Sequence, residues 1–192
     1  MSNKVILSLF DYSGNWSKPY KDSGYEVHQI DIKLGSDIFD FDYQEFPEVY
    51  GILAAPPCTH FSLSGSRFFK EKDADGRTAE AVDLVLKVME IVNFYKSVDT
   101  LKFWVVENPM SRIHKLIPEL GPVQYKFHPY HHGDPWQKMT WLWGDFNTPE
   151  RHEVENTQGR VIWKVGGASE QTKEFRSMTP AGFAKDFFEA NQ

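Results

Sequence analysis

Two residues stand where side chains of their type invite chemistry. Cys58 is the single cysteine of the 192-residue chain, set in AAPPCTHFS directly after Pro56 and Pro57. Glu107 closes the apolar run Phe103 to Val106 and is followed at once by Asn108 and Pro109. A nucleophile needs a fixed position and controlled access to water, and paired prolines stiffen the backbone that carries this thiol. The competing reading of Cys58 is a small buried hydrophobe. A carboxylate ending an apolar run is costly unless it is paired or the strand has reached a cleft. Glu107 therefore reads either as a salt-bridged strand end or as an acid with a raised pKa that donates a hydrogen bond to a ring nitrogen. A third cluster, His128, His131, His132 and Asp134 in KFHPYHHGDPW, matches no strong metal-ligand spacing. It reads as an exposed loop, able to contact phosphates beside the site, and no metal is expected.

The elements that must position these residues follow from periodicity. KVILSLF, Lys4 to Phe10, reads as a buried strand that ends in the turn-prone DYSGN. WSKPYKDSG allows a short helix ending near Gly24, and YEVHQIDI, Tyr25 to Ile32, a second strand ending at Asp31. YGILAA is a third strand, stopped by the prolines. From Thr78 to Tyr95 apolar residues recur at helical spacing, and LKFWVVE follows as a strand that ends in the turn-forming NP. MTWLWG is a further strand, and TPAGFAKDFFEAN a C-terminal helix capped by Thr179 with Pro180 in its first turn. Strand, helix and strand, with polar residues after each strand, predict a mostly parallel α/β sheet with helices on both faces. Ligands bind such sheets beyond the carboxyl ends of the strands, which brings DYSGN, Asp31, Cys58 and Glu107 to one edge.

On those residues the chain resembles the cytosine C5 DNA methyltransferases. LSLFDYSGNW resembles the loop that holds S-adenosylmethionine, and Asp31 matches the acidic residue that binds the ribose. Ser36-Asp37-Ile38 is similar to the element near the adenine, APPCTHFS to the nucleophile motif, ENP to the ENV motif, and FRSMTP to a late R-x-L-T-P element. The resemblance implies a Rossmann-like class I methyltransferase fold and S-adenosylmethionine as cofactor. It implies catalytic roles for Cys58 and Glu107. It implies cofactor contacts from Phe10, Ser13, Gly14, Asn15, Asp31, Ile32, Asp37, Ile38 and Pro56, and substrate contacts from Pro57, Ser62, Asn108 and Lys138. The implied reaction is addition of the Cys58 thiolate to C6 of cytosine, methylation at C5, and loss of the C5 proton.

The chain also departs from that family. Tyr12 and Asn15 stand where glycines are usual, Thr59 and His60 follow the cysteine in place of glutamine, and the base-holding arginine element is echoed only by Gln137-Lys138. The final asparagine motif is missing unless Asn191 substitutes. About thirty residues separate Trp143 from Phe175, too few for a module that reads DNA in the major groove. The expectation is a short form: one catalytic domain over 1–192, with an irregular segment at 145–175 in place of a target-recognition domain.

Composition narrows the partners. At 41% hydrophobic and 15% aromatic residues the chain is too rich in core formers for disorder. A net charge of −6 offers little global phosphate neutralisation, although Arg67, Lys70, Lys72 and Arg77 share one polar stretch, interrupted by acids, that also reads as a solvated loop. The substrate is then DNA, with a protein partner supplying sequence recognition, or a free cytosine nucleotide. No membrane segment is read, and a lone cysteine suits a reducing cytoplasm. Two other functions fit the same residues: a methyltransferase-fold binding or regulatory protein without turnover, and a C5-modifying enzyme with a different one-carbon donor.

Overall fold

Four short apolar runs supply the centre of the sheet, because each is long enough for a strand and too short for a helix. A computed structural model of the protein describes residues 4–160 and 177–192. Strands β1 (Val5–Leu9), β2 (Glu26–Ile30), β3 (Gly51–Ala54) and β4 (Phe103–Pro109) are mutually parallel. Strands β5 (Tyr125–Phe127) and β6 (Thr140–Asp145) complete a six-stranded sheet of order β2-β1-β3-β4-β6-β5, in which β6 runs antiparallel to both neighbours. This is the Rossmann-like α/β arrangement expected from the sequence.

Burial of both faces explains the unbroken apolar strands. On one face Leu7, Leu9, Ile52, Ala54, Trp104 and Val106 pack with Val85, Val88, Val92 and Tyr95 of the long helix Arg77–Ser97. The other face buries Ile6, Leu53, Phe103 and Val105 with Tyr20 of α1 (Lys18–Asp22) and Phe183 and Phe187 of the C-terminal helix Ala181–Ala190. Among the described residues the helices after α1 are, in chain order, α2 (Phe69–Ala74), α3 (Arg77–Ser97), α4 (Ile113–Leu116) and α5 (Ala181–Ala190).

Four expectations are corrected. The NP after Glu107 is not a turn: β4 continues through Pro109, because β6 pairs with it as far as Pro109↔Thr140. Pro180, not Thr179, is the N-cap of α5, and no side chain caps it. KFHPYHHGDPW is no exposed loop, since it begins with the last two residues of β5 and buries His128 and His132. The stretch with Arg67 and Arg77 is no simple solvated loop either, since Lys72 is buried and Arg77 is paired with Asp75 and Glu71. Of the segment 145–175, the described residues 146–160 form no helix or strand beyond a one-residue bridge from His152 to His132; Phe175 and Arg176 of FRSMTP lie outside the described residues.

His132 is buried because it completes a directed chain of hydrogen bonds. Arg151 Nε donates to the Tyr125 hydroxyl oxygen at 3.1 Å. With His132 protonated on Nδ1, the tautomer the facing carboxylate favours, that hydroxyl donates to His132 Nε2 at 3.1 Å and Nδ1 to Asp186 Oδ2 at 2.8 Å. The pattern requires neutral His132, and burial indeed pushes its pKa below the ordinary value, against the pull of Asp186. Unfolding returns His132 to the ordinary value, so the unfolded chain binds the proton better and this group costs stability as pH falls below about 6.5. His152, raised by Asp186, acts in the opposite sense but is exposed and screened. Asp186→Ala leaves a buried N–H without its acceptor, and urea unfolding at pH 7 is expected to show a loss of about 3 kcal/mol.

Candidate active site

The parallel strands deliver four loops to one edge. After β1, Phe10 takes a left-handed backbone, φ 61°, and its N–H donates to Ile30 O of β2 at 2.8 Å. Such a conformation in a bulky residue is strained and marks a loop fixed by its surroundings. The fixing group is Asp11, 5% exposed, which was not among the expected site residues. Its carboxylate accepts from Ser8 Oγ at 2.9 Å, Ser17 Oγ at 2.9 Å and Ser17 N at 3.2 Å, and from Ser13 Oγ at 3.3 Å. The serines three before and six after the acid are the signal in the sequence. Gly14, at φ 69°, sits where an added Cβ would lie 3.0 Å from Gln29 Nε2, which itself donates to Asp11 O. Asn15 N donates to Ser13 Oγ. Tyr12, in place of a glycine, is turned to the surface with Lys33 Nζ 4.9 Å from its ring centre.

After β2, Asp31 caps a short 3-10 turn by accepting from Lys33 N at 2.8 Å. Ile32 is exposed, and with Gly35, Ser36, Asp37, Asp40, Phe41 and Asp42 it lines an open surface recess. Asp37 accepts from Phe39 N, whereas Ile38 turns away into the core. The expected cofactor residues of this stretch thus divide: Ile32 and Asp37 border the recess and Ile38 supports it from beneath.

After β3 come the prolines and Cys58, which is half buried. Ala54 and Val106 are register partners, so Cys58, four residues beyond Ala54, and Glu107, one residue beyond Val106 and still within β4, lie towards the same edge of neighbouring parallel strands. Asn108 is fully buried and joins the two strand ends, its Nδ2 donating to Pro56 O at 3.1 Å while its Oδ1 has no partner among the described residues. Pro57 is exposed. Ser62 lies 2.9 Å from Ser64 between hydroxyl oxygens and bridges to Ser111 beyond β4. Because β6 is antiparallel, its start lies at this same edge, and Lys138 Nζ comes within 3.7 Å of Glu107 Oε1. Both side chains are nearly covered, at 9% and 12% exposure. Glu107 is therefore a covered carboxylate paired with Lys138 at the ligand edge of the sheet. Asn191 is elsewhere, tied to Asn147 beside the end of β6.

The loop after Cys58 is braced by residues that sequence reasoning missed. Lys72 of α2 donates to Thr59 O at 2.6 Å. Arg112, just beyond β4, donates to His60 O, pairs with Asp73 at 2.6 Å, reaches Thr78 Oγ1 and lies over the Phe69 ring. Burial, then the Lys72 and Arg77 charges, hold the His60 pKa below the ordinary histidine value. Among the described residues no group of acids, histidines or cysteine is arranged to hold a metal ion, and no helix is long and apolar enough to cross a membrane.

No family model and no curated protein matches the chain. Among solved structures it is similar to the Entamoeba histolytica methyltransferase EhMeth, at 12% identity and TM-score 0.48 over 90% of this chain and 62% of that one. It is also similar to a protein described as a candidate DNA modification methyltransferase encoded within an E. coli prophage, at 14% identity and TM-score 0.46 over 88% and 56%. The chain thus spans less than two thirds of the length of either structure. At such identity and score the functional reading rests on the chain's own residues: a Rossmann-like α/β sheet with a braced thiol and a paired carboxylate at its ligand edge.

Proposed function

We propose that the protein transfers a methyl group from S-adenosylmethionine to C5 of cytosine, in DNA or in a cytosine nucleotide, with Cys58 as nucleophile and Glu107 as the group that holds the base. The observation that carries this is the placement of a proline-braced thiol and a covered carboxylate on adjacent parallel strands, at the edge that also holds the Phe10–Asn15 loop and Asp31. Neither residue alone has that force; a pure binding protein needs neither.

The β1 and β2 ends suit the cofactor. The Phe10–Asn15 loop is fixed by Asp11, Asp37 borders the adjoining recess, and Asp31 stands just before that recess at the end of β2, offering acceptor groups suited to ribose and adenine. When bound, S-adenosylmethionine supplies an electrophilic methyl group on a sulfonium. The chain's own part is to make C5 reactive. The Cys58 thiolate bonds to C6 and drives the ring's electron pair towards C5. Loss of the C5 proton later returns that pair and expels the thiolate. Glu107 accepts from the exocyclic amine and, after taking a proton from solvent, donates it to N3 as negative charge builds on the ring, with Lys138 beside it. Asn108 keeps the two strand ends at fixed separation through Pro56 O.

The test is incubation with labelled S-adenosylmethionine and either DNA or a cytosine nucleotide, followed by mass analysis of the digested product. Label in 5-methylcytosine from one substrate supports the reading and identifies the acceptor class. Cofactor binding without labelled cytosine in either substrate overturns the acceptor. A product of another mass points to a different one-carbon donor, and neither binding nor product leaves a methyltransferase-fold binding protein.

A further inference from the structure

We infer that Lys72 is a positioning residue for Cys58, pinning the backbone beside it and supplying the positive charge that favours its thiolate. The inference rests on the nucleophile reading above and concerns a residue outside the motifs that suggested it.

Four consecutive carbonyls starting at Cys58 are all engaged. Cys58 O accepts from Phe61 N at 3.0 Å and Ser62 N at 2.9 Å. Thr59 O accepts from Lys72 Nζ, His60 O from the Arg112 guanidinium, and Phe61 O from Arg112 N at 3.0 Å. The thiol is thus mounted on backbone held from both α2 and the exit of β4. Gly65 closes over this contact, its Cβ position 3.9 Å from both Lys72 Nζ and Thr59 O.

The charge balance singles out Lys72. The charged and titratable groups around the loop are His60 within it, Arg67 on the 3-10 turn that follows and Lys70 on α2, both exposed, Glu71, Lys72, Asp73 and Asp75 on and just after α2, Arg77 and Glu80 on α3, Glu107 and Arg112 from β4 and its exit, and Lys138 before β6. Asp73 is paired with Arg112, Glu71 and Asp75 with Arg77, and Glu107 with Lys138. Glu80 is exposed on α3. Lys72 is 8% exposed, and among the described residues its ammonium meets a single neutral acceptor and no carboxylate. A buried cation without an anion is costly. The one group on the pinned loop able to become an anion is the thiol one residue before Thr59. Cations beside a cysteine lower its pKa and raise its thiolate fraction. The lowered pKa of neighbouring His60, to which Lys72 contributes, is the same field felt at a second group.

The experiment is the rate of alkylation by iodoacetamide against pH, on the full chain without cofactor or substrate. Cys58 is the sole cysteine, so the rate reports on it alone. The wild type is expected to show a midpoint about one unit below the ordinary value of about 8.5. Lys72→Met and Lys72→Gln should raise it by about one unit and slow alkylation at pH 7 about three- to tenfold, because the gain in nucleophilicity only partly offsets the lost thiolate. Lys72→Arg should keep the low midpoint. Lys72→Gln retains a donor for Thr59 O, so it separates charge from pinning if Lys72→Met fails to fold. A wild-type midpoint at or above the ordinary value overturns the inference, as does a folded Lys72→Gln with the wild-type midpoint. A low, Lys72-dependent midpoint in a protein that transfers no methyl group supports the inference and overturns the proposed reaction. An ordinary midpoint in a protein that does transfer one overturns the inference alone.

Discussion

Cys58→Ser is expected to lose methyl transfer and covalent trapping together, with the rate of transfer falling at least about a thousandfold. The trap is a substrate carrying 5-fluorocytosine. Fluorine at C5 blocks the final proton loss, so the enzyme stays bonded to C6 and intact-protein mass spectrometry records one adduct per chain. Serine presents an oxygen that is a far weaker nucleophile at neutral pH, because its hydroxyl stays protonated where a thiol is partly ionised. Folding offers no competing explanation. Cys58 is half buried and four carbonyls of its loop are held by backbone and side-chain donors, so stability should move by no more than about 0.5 kcal/mol. A wild-type protein that binds S-adenosylmethionine yet forms no adduct with fluorinated DNA or nucleotide would remove Cys58 from the chemistry.

The parts of this architecture written in local sequence were readable before the fold. β1, β3 and the Phe103–Val106 run are continuous apolar segments because both faces of the sheet are covered, and the prolines after Ala55 stop a strand wherever it is placed. Once four parallel strands were read, their carboxyl ends had to share an edge, so Asp31, Cys58 and Glu107 came together without any contact being known. What stayed hidden depends on distant partners. β5 is only three residues long, and the histidines after it look solvated until Asp186, 54 residues away, receives His132 Nδ1. The direction of β6 is not encoded in MTWLWG, yet it alone brings Lys138 to Glu107. It also keeps Asn108 and Pro109 in a strand despite their turn-forming types. Lys72 reads locally only as one of the basic residues of a polar stretch, and Arg112 carries no local signal at all. Their roles arise from a loop, two helices and a strand exit meeting at four carbonyls.

Glu107→Gln is expected to lower kcat/KM for methyl transfer by about a hundred- to a thousandfold, the range for losing one preorganised group at a centre where charge develops. Two readings of Glu107 compete in the structure itself. If it serves only as Lys138's partner, Glu107→Gln and Lys138→Met should lower the melting temperature similarly, and activity should follow the folded fraction. If Glu107 holds the base, Glu107→Gln keeps a side chain of nearly the same shape against Lys138 but replaces the carboxylate that meets the cytosine edge. Activity then falls while the melting temperature barely moves, and the fluorinated substrate is trapped more slowly because addition at C6 is the step the carboxylate assists. Lys138→Met should cost less, about tenfold, because its ammonium acts through Glu107 at 3.7 Å instead of on the ring. The double variant decides the point. If the residues form one unit, its loss should be close to that of Glu107→Gln alone, not the product of the two single losses. Equal losses of stability with normal trapping by the folded fraction would return Glu107 to a structural ion pair and leave Cys58 without a partner at the base.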